Sequence, residues 1–165
     1  MKTTKPIKFI DLFAGIGGFH FAFHKLGLKC VFASEINSDA RNSYIKNFAP
    51  LVSTDFFKNN FNADIYQQDK NEIPDFDILC AGFPCQPFSQ IGYKKGFSED
   101  LEGRGNLFFE IAKILEIKKP RAFFLENVQH LIKHDDGRTL NIIKETIEKL
   151  DYSFYYKVIR ASDFN

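Results

Sequence analysis

Lys8-Phe9-Ile10-Asp11-Leu12-Phe13-Ala14-Gly15-Ile16-Gly17-Gly18 is the stretch that decides the fold. Lys8 to Phe13 is a short apolar run of the kind that forms a buried strand. Gly15, Gly17 and Gly18 then allow a sharp turn and a close approach of backbone to ligand. Phe19, Ala22, Phe23 and Leu26 recur at helical spacing, and Gly27 is a stop signal. Strand, glycine loop and helix start together offer free N–H groups to an anionic ligand. A plain tight turn is the other reading of the same glycines.

The pattern repeats along the chain. Lys29–Ser34 predicts a second strand, and Ser38 caps a helix carrying Arg41, Tyr44, Ile45 and Phe48, ended by Pro50. Asp64-Ile65 closes a short third strand, and Phe76–Ala81 is a stronger one. The segment from Gly82 to Gly105 is rich in glycine and polar residues, with little periodicity. Leu107, Phe108, Ile111, Ile114 and Leu115 mark a helix face, and Arg121–Leu125 a strand. Leu140, Ile143, Ile147 and Leu150 mark a last helix with Asp135 or Asp136 near its start, and Ser153–Ile159 a final strand. Alternating strands and helices predict an α/β fold with a mostly parallel sheet and helices on both faces. Such sheets bind ligands beyond the carboxyl ends of their strands. That rule selects Phe13–Gly18, Glu35–Asn37, Ala81–Gln86 and Glu126–Val128.

Glu35 lies 20 residues beyond Gly15, at the end of the second strand. A carboxylate there accepts hydrogen bonds from ribose hydroxyls. A dinucleotide fingerprint wants a third glycine at position 20, where this chain has His20. The loop therefore favours a nucleoside cofactor without a pyrophosphate, and S-adenosylmethionine fits. Gly82-Phe83-Pro84-Cys85-Gln86-Pro87-Phe88-Ser89 follows another strand. Two prolines stiffen the backbone around one thiol, which suits a thiolate nucleophile. Cys30 and Cys80 sit within strands and read as inert core. Glu126 ends the next strand and is either a proton donor facing the cysteine loop or a solvated carboxylate.

Together these segments resemble the C5-cytosine DNA methyltransferase family, with bacterial restriction-modification enzymes the nearest likeness. Asp11 to Phe19 resembles its first motif, Gly82 to Ser89 its nucleophile loop, and Glu126-Asn127-Val128 its catalytic acid motif. The resemblance implies a Rossmann-like S-adenosylmethionine-dependent fold, incomplete here, with residues 1–165 as one catalytic and cofactor-binding domain. It implies Cys85 and Glu126 as catalytic residues acting on a flipped-out cytosine. It implies Phe13, Gly15, Gly17 and Gly18 at the methionine end of the cofactor, Glu35 at the ribose, and Ile36, Asp64 and Ile65 near the adenine, with Pro84 and Leu107 lining the site. Gln86, Ser89, Gln90, Lys94, Lys95 and Arg104 are the implied contacts to double-stranded DNA. The family's later arginine motif, target-recognition region and closing Gly-Asn motif have no counterpart here. The expectation is therefore a piece of a longer enzyme, or one polypeptide of a split one, with little activity alone.

Composition agrees with a cytoplasmic enzyme. The chain has 165 residues, 44% of them hydrophobic, which is enough for one domain with a real core. No run approaches the ~20 apolar residues of a membrane span. Three cysteines without disulfide spacing fit a reducing compartment, and scattered histidines with no CxxC argue against a zinc site. A formal charge of +1 argues mildly against this piece gripping DNA alone. Three rivals remain. A transfer-RNA cytosine methyltransferase carries a Cys-Phe-Thr tripeptide that this chain lacks. A non-catalytic cofactor-binding subunit would have no need of Cys85 and Glu126. A nicotinamide oxidoreductase is disfavoured by His20.

Overall fold

A computed structural model describes residues 5–84 and 107–164. Its centre is a parallel five-stranded sheet of order β3-β2-β1-β4-β5. The strands are β1 (Lys8–Leu12), β2 (Lys29–Ser34), β3 (Phe61–Asn62), β4 (Ile78–Gly82) and β5 (Ala122–Glu126). The helices are α1 (Gly18–Lys25), α2 (Ser38–Phe48), α3 (Thr54–Asn59), α4 (Leu107–Lys118) and α5 (Arg138–Lys149). Sheet order reverses at β1, so the carboxyl ends of β1 and its neighbours β2 and β4 flank a crevice of the kind that receives ligands.

The period-two alternation of the strands divides the core between the two faces. Ile10, Leu12, Phe32, Leu79 and Ala81 pack with Phe108, Ile111 and Leu115 of α4 and Ile143 and Ile147 of α5. Phe9, Ala33 and Cys80 turn the other way, onto Tyr44 and Phe48 of α2 and Phe56 of α3, with Phe19 and Phe23 of α1 alongside. The aromatic abundance is thus largely core.

Several boundaries differ from the sequence reading. Asn37 caps α2 and Ser38 is its first residue: Asn37 Oδ1 accepts from the Asp39 and Ala40 amides at 3.0 and 2.9 Å. The third strand is Phe61–Asn62, and Asp64-Ile65 lies in the turn beyond it. Asp64 accepts from the Tyr66 amide at 2.9 Å, an Asx-type bond that bends the chain away from the ladder. α5 starts after Gly137, and Asp135 and Asp136 occupy a left-handed turn before it, with φ of 54° and 52°. Ser153–Ile159 is extended but forms no strand. It pairs with no neighbour in the sheet, which ends at β5, and Tyr155 and Ile159 stand 89% and 60% exposed.

Candidate active site

The loop after β1 is pinned at each turn. Phe13 takes a φ of 55°, the Ala14 amide donates to the Ser34 carbonyl at 3.0 Å, and the Gly17 amide donates to Ala14 at 2.8 Å. Gly17 caps α1 at a φ of 97°, and a Cβ there would collide with the Phe48 ring. No other residue suits that position. A Cβ on Gly15 or Gly18 would instead meet no atom beyond its chain neighbours within 4 Å among the described residues. That face of the loop is open.

Glu35 closes the crevice at the end of β2. One carboxylate oxygen accepts from the Gly15 amide at 2.8 Å and the other from the Asn37 amide at 2.7 Å. The acid therefore ties the glycine loop to the start of α2. Each carboxylate oxygen keeps a lone pair for a further donor. Ile36, beside it, is 71% exposed and offers an apolar surface. Beyond β3, on the outer side of β2, Asp64 also accepts from the Gln67 side-chain amide at 3.2 Å. Ile65 is buried in the core shared with α4, and Leu107 is half-buried at the first turn of that helix.

Beneath the loop lies a buried polar group that sequence reasoning missed. Asp11 is fully buried; Oδ2 accepts from the His20 amide at 3.2 Å, and Oδ1 has no partner among the described residues. Burial pushes its carboxyl up to about 8, with Glu35 adding to the effect and the His20 amide opposing it. His20 stacks on Phe48 at 3.9 Å, and its Nδ1 is 2.5 Å from the Tyr44 hydroxyl. Burial, helped by His24, brings the imidazole down to about 4, so it is neutral at neutral pH. A histidine in place of a third glycine thus serves as an aromatic core residue between α1 and α2. The alternation of β1 foretold that Asp11 faces the same side as Phe9, which was the available signal.

The second cluster forms where β4 and β5 end. Their register pairs Gly82 with Glu126. A Cβ on Gly82 would come within 3.3 Å of a Glu126 carboxylate oxygen, so the acid lies against the strand that leads to Cys85. The next residue, Asn127, donates from Nδ2 to the Phe83 carbonyl at 2.7 Å, and its Oδ1 accepts from the Val128 amide at 2.9 Å. Asn127 was quoted in the motif but given no role; here it staples the two strand ends. Pro84 is exposed at the edge of the described residues. Cys85, Gln86, Ser89, Gln90, Lys94, Lys95 and Arg104 lie outside them.

Comparison with known proteins agrees with this layout. The family described as C-5 cytosine-specific DNA methylase matches residues 7–165. The chain is 46% identical over 163 residues to the Type II methyltransferase M.HhaI of Haemophilus parahaemolyticus, covering 99% of this chain and 46% of that protein. It is 49% identical over 161 residues to M.DsaV of Dactylococcopsis salina, covering 98% and 42%. The chain thus spans less than half the length of these curated relatives. Among solved structures, DNMT2 of Spodoptera frugiperda superposes with a TM-score of 0.62 at 27% identity, covering 87% of this chain and 41% of that one. A ribosomal protein L11 methylase from Lactobacillus delbrueckii, at 15% identity and a TM-score of 0.56, shares the fold. The sheet with helices on both faces is the Rossmann-like methyltransferase fold, and the chain belongs to the C-5 cytosine-specific DNA methylase family.

Proposed function

We propose that this chain supplies the cofactor-binding and catalytic half of an enzyme that methylates carbon 5 of cytosine in double-stranded DNA, as in a restriction-modification system. The observation that carries this reading is the pairing of Gly82 with Glu126 and of Phe83 with Asn127. It brings the acid motif against the root of the cysteine loop, on the side of the sheet where the glycine loop and Glu35 lie.

The open face at Gly15 and Gly18, the acceptors on Glu35 and the exposed Ile36 fit S-adenosylmethionine. Gly15, Gly17, Gly18 and Phe13 would hold its methionine end, Glu35 its ribose, and Ile36, Asp64 and Ile65 its adenine side, with Pro84 and Leu107 lining the site. Bound there, it supplies an electrophilic methyl group. Carbon 5 of cytosine is a weak nucleophile, and Cys85 corrects this by adding its thiolate to carbon 6. Glu126 bonds ring N3 and the exocyclic amine, stabilising the protonated ring while carbon 5 takes the methyl. Loss of the carbon 5 proton and expulsion of the Cys85 thiolate restore the aromatic ring. The base must leave the helix to reach Cys85. Gln86, Ser89, Gln90 and Arg104 are the DNA contacts in this reading.

A second polypeptide, or a further length of the same one, fits a specific feature. An apolar cavity of about 780 Å³ lies beside β5, lined by Phe83, Leu131, Ile143, Tyr152 and Phe154 among others. The part of the relatives' length with no counterpart here is the natural occupant.

Trapping on single-stranded DNA containing 5-fluorocytosine tests the proposal, because fluorine at carbon 5 does not leave as a proton does. The test accumulates even slow events and bypasses base flipping. We expect a cofactor-dependent covalent adduct at Cys85, found by peptide mass, and none with Cys85→Ser. An adduct that persists in Cys85→Ser would refute the assignment.

A further inference from the structure

The adenine side of the crevice is tied together by a charge pair that the reaction does not use. Lys70 is 9% exposed and Glu110 3% exposed, unusual burial for either residue type. Lys70 Nζ donates to the Ile65 carbonyl at 2.6 Å and lies 2.7 Å from a Glu110 carboxylate oxygen. The other Glu110 oxygen takes Lys113 at 2.9 Å. Glu110 stands one turn after Leu107 on α4, on the same helical face. A single ammonium therefore links the Asp64-Ile65 turn to the helix that carries Leu107.

A buried ion pair seldom adds stability over apolar residues of the same shape, so what this one contributes is geometry, the fixing of the Ile65 carbonyl against α4. The carbonyl it holds belongs to Ile65, next to Asp64, and the Tyr66 and Gln67 amides close the turn onto Asp64 at 2.9 and 3.1 Å. We propose that Lys70 is a positioning residue: through Glu110 it sets the spacing between the Asp64-Ile65 turn and Leu107, and so the width of the cofactor site between them. This rests on the cofactor reading above. The clamp itself is a property of the unliganded chain.

Lys70→Met alone leaves Glu110 short of a partner and risks misfolding. Lys70→Met with Glu110→Met removes both charges and keeps the packing, while Lys113, with a quarter of its side chain exposed, reaches water. Lys70→Arg retains a cation that reaches both acceptors. Amide hydrogen exchange on the full chain without ligand reads the clamp directly. In the double variant the Tyr66 and Gln67 amides should exchange faster, while β1 and β4 amides keep their protection. Titration with S-adenosylhomocysteine reads the consequence: affinity should fall by roughly tenfold in the double variant and return to within about twofold in Lys70→Arg. A folded double variant with unchanged Tyr66 and Gln67 exchange, or with unchanged affinity, overturns the proposal. Faster turn exchange in a chain whose wild type binds no adenosine cofactor would keep the clamp and sink the cofactor reading instead.

Discussion

Asp11 is a buried carboxyl with one oxygen unpartnered among the described residues. Its carboxyl, at about 8 in the fold against 3.8 in a free chain, binds a proton in the folded state that the unfolded state has released. Stability from this group is full below about pH 4 and is lost as pH rises toward 8. His20 acts oppositely: its fold value of about 4 against 6.5 means stability is lost as pH falls from 6.5 toward 4. Of these two groups, Asp11 is the one that acts between pH 6.5 and 8. Urea unfolding should therefore show the wild type losing at most about 2 kcal/mol between pH 6.5 and 8, and Asp11→Asn losing far less. Equal slopes for both would contradict this. Gly17→Ala meets the Phe48 ring at a left-handed backbone position, so its unfolding free energy should drop by a few kcal/mol, about 1–3 from strain alone. Gly18→Ala, with open space around it, should melt like the wild type yet bind cofactor less well. The two glycines look alike in sequence. Their different burdens depend on α2, which reaches the loop only through tertiary packing.

At the level of elements, the strand ends do the positioning. β4 and β5 deliver the cysteine loop and the acid, and Asn127 joins them through the Phe83 carbonyl. Asn127→Ala should leave cofactor affinity unchanged and slow Cys85 trapping by roughly 10- to 100-fold, since small misplacement of a reacting group is costly. Slowed trapping with equally weakened cofactor binding would point to general loosening of the fold. Strands β1, β2, β4 and β5 were legible within two residues because apolar runs bounded by glycine, proline and charge are strong local signals. The helix cap was misread by one residue, because Asn37 and Ser38 are both good caps and only the amide geometry chooses. The strand expected at Ser153–Ile159 did not form: β-propensity is realised only against a partner, and the segment pairs with none of the five strands.

For the whole molecule, the sheet is least finished along β5. Its centre is covered by the stacked aromatics of α1 and α2, whereas Phe124, beside Phe19 and Phe23 of α1, and Val128, Tyr155, Tyr156 and Ile159 are more than half exposed. Exposed apolar area of this kind promotes association. Tyr155→Lys with Ile159→Lys should lower light scattering at high concentration without altering cofactor affinity; unchanged scattering would place the sticky surface elsewhere. The fold class was legible, and so was the placing of the glycine loop, Glu35 and Glu126 at strand ends, because short apolar runs mark where each strand stops. Asp11, Asn127 and the Lys70–Glu110 link were not, because their roles exist only between elements distant in sequence. Calorimetric titration of the chain with S-adenosylmethionine and, separately, with NAD distinguishes an adenosyl cofactor in the crevice from a dinucleotide. S-adenosylmethionine should bind, Glu35→Ala should abolish that binding, and NAD should give no heat. Binding of NAD in place of S-adenosylmethionine would contradict the adenosyl reading.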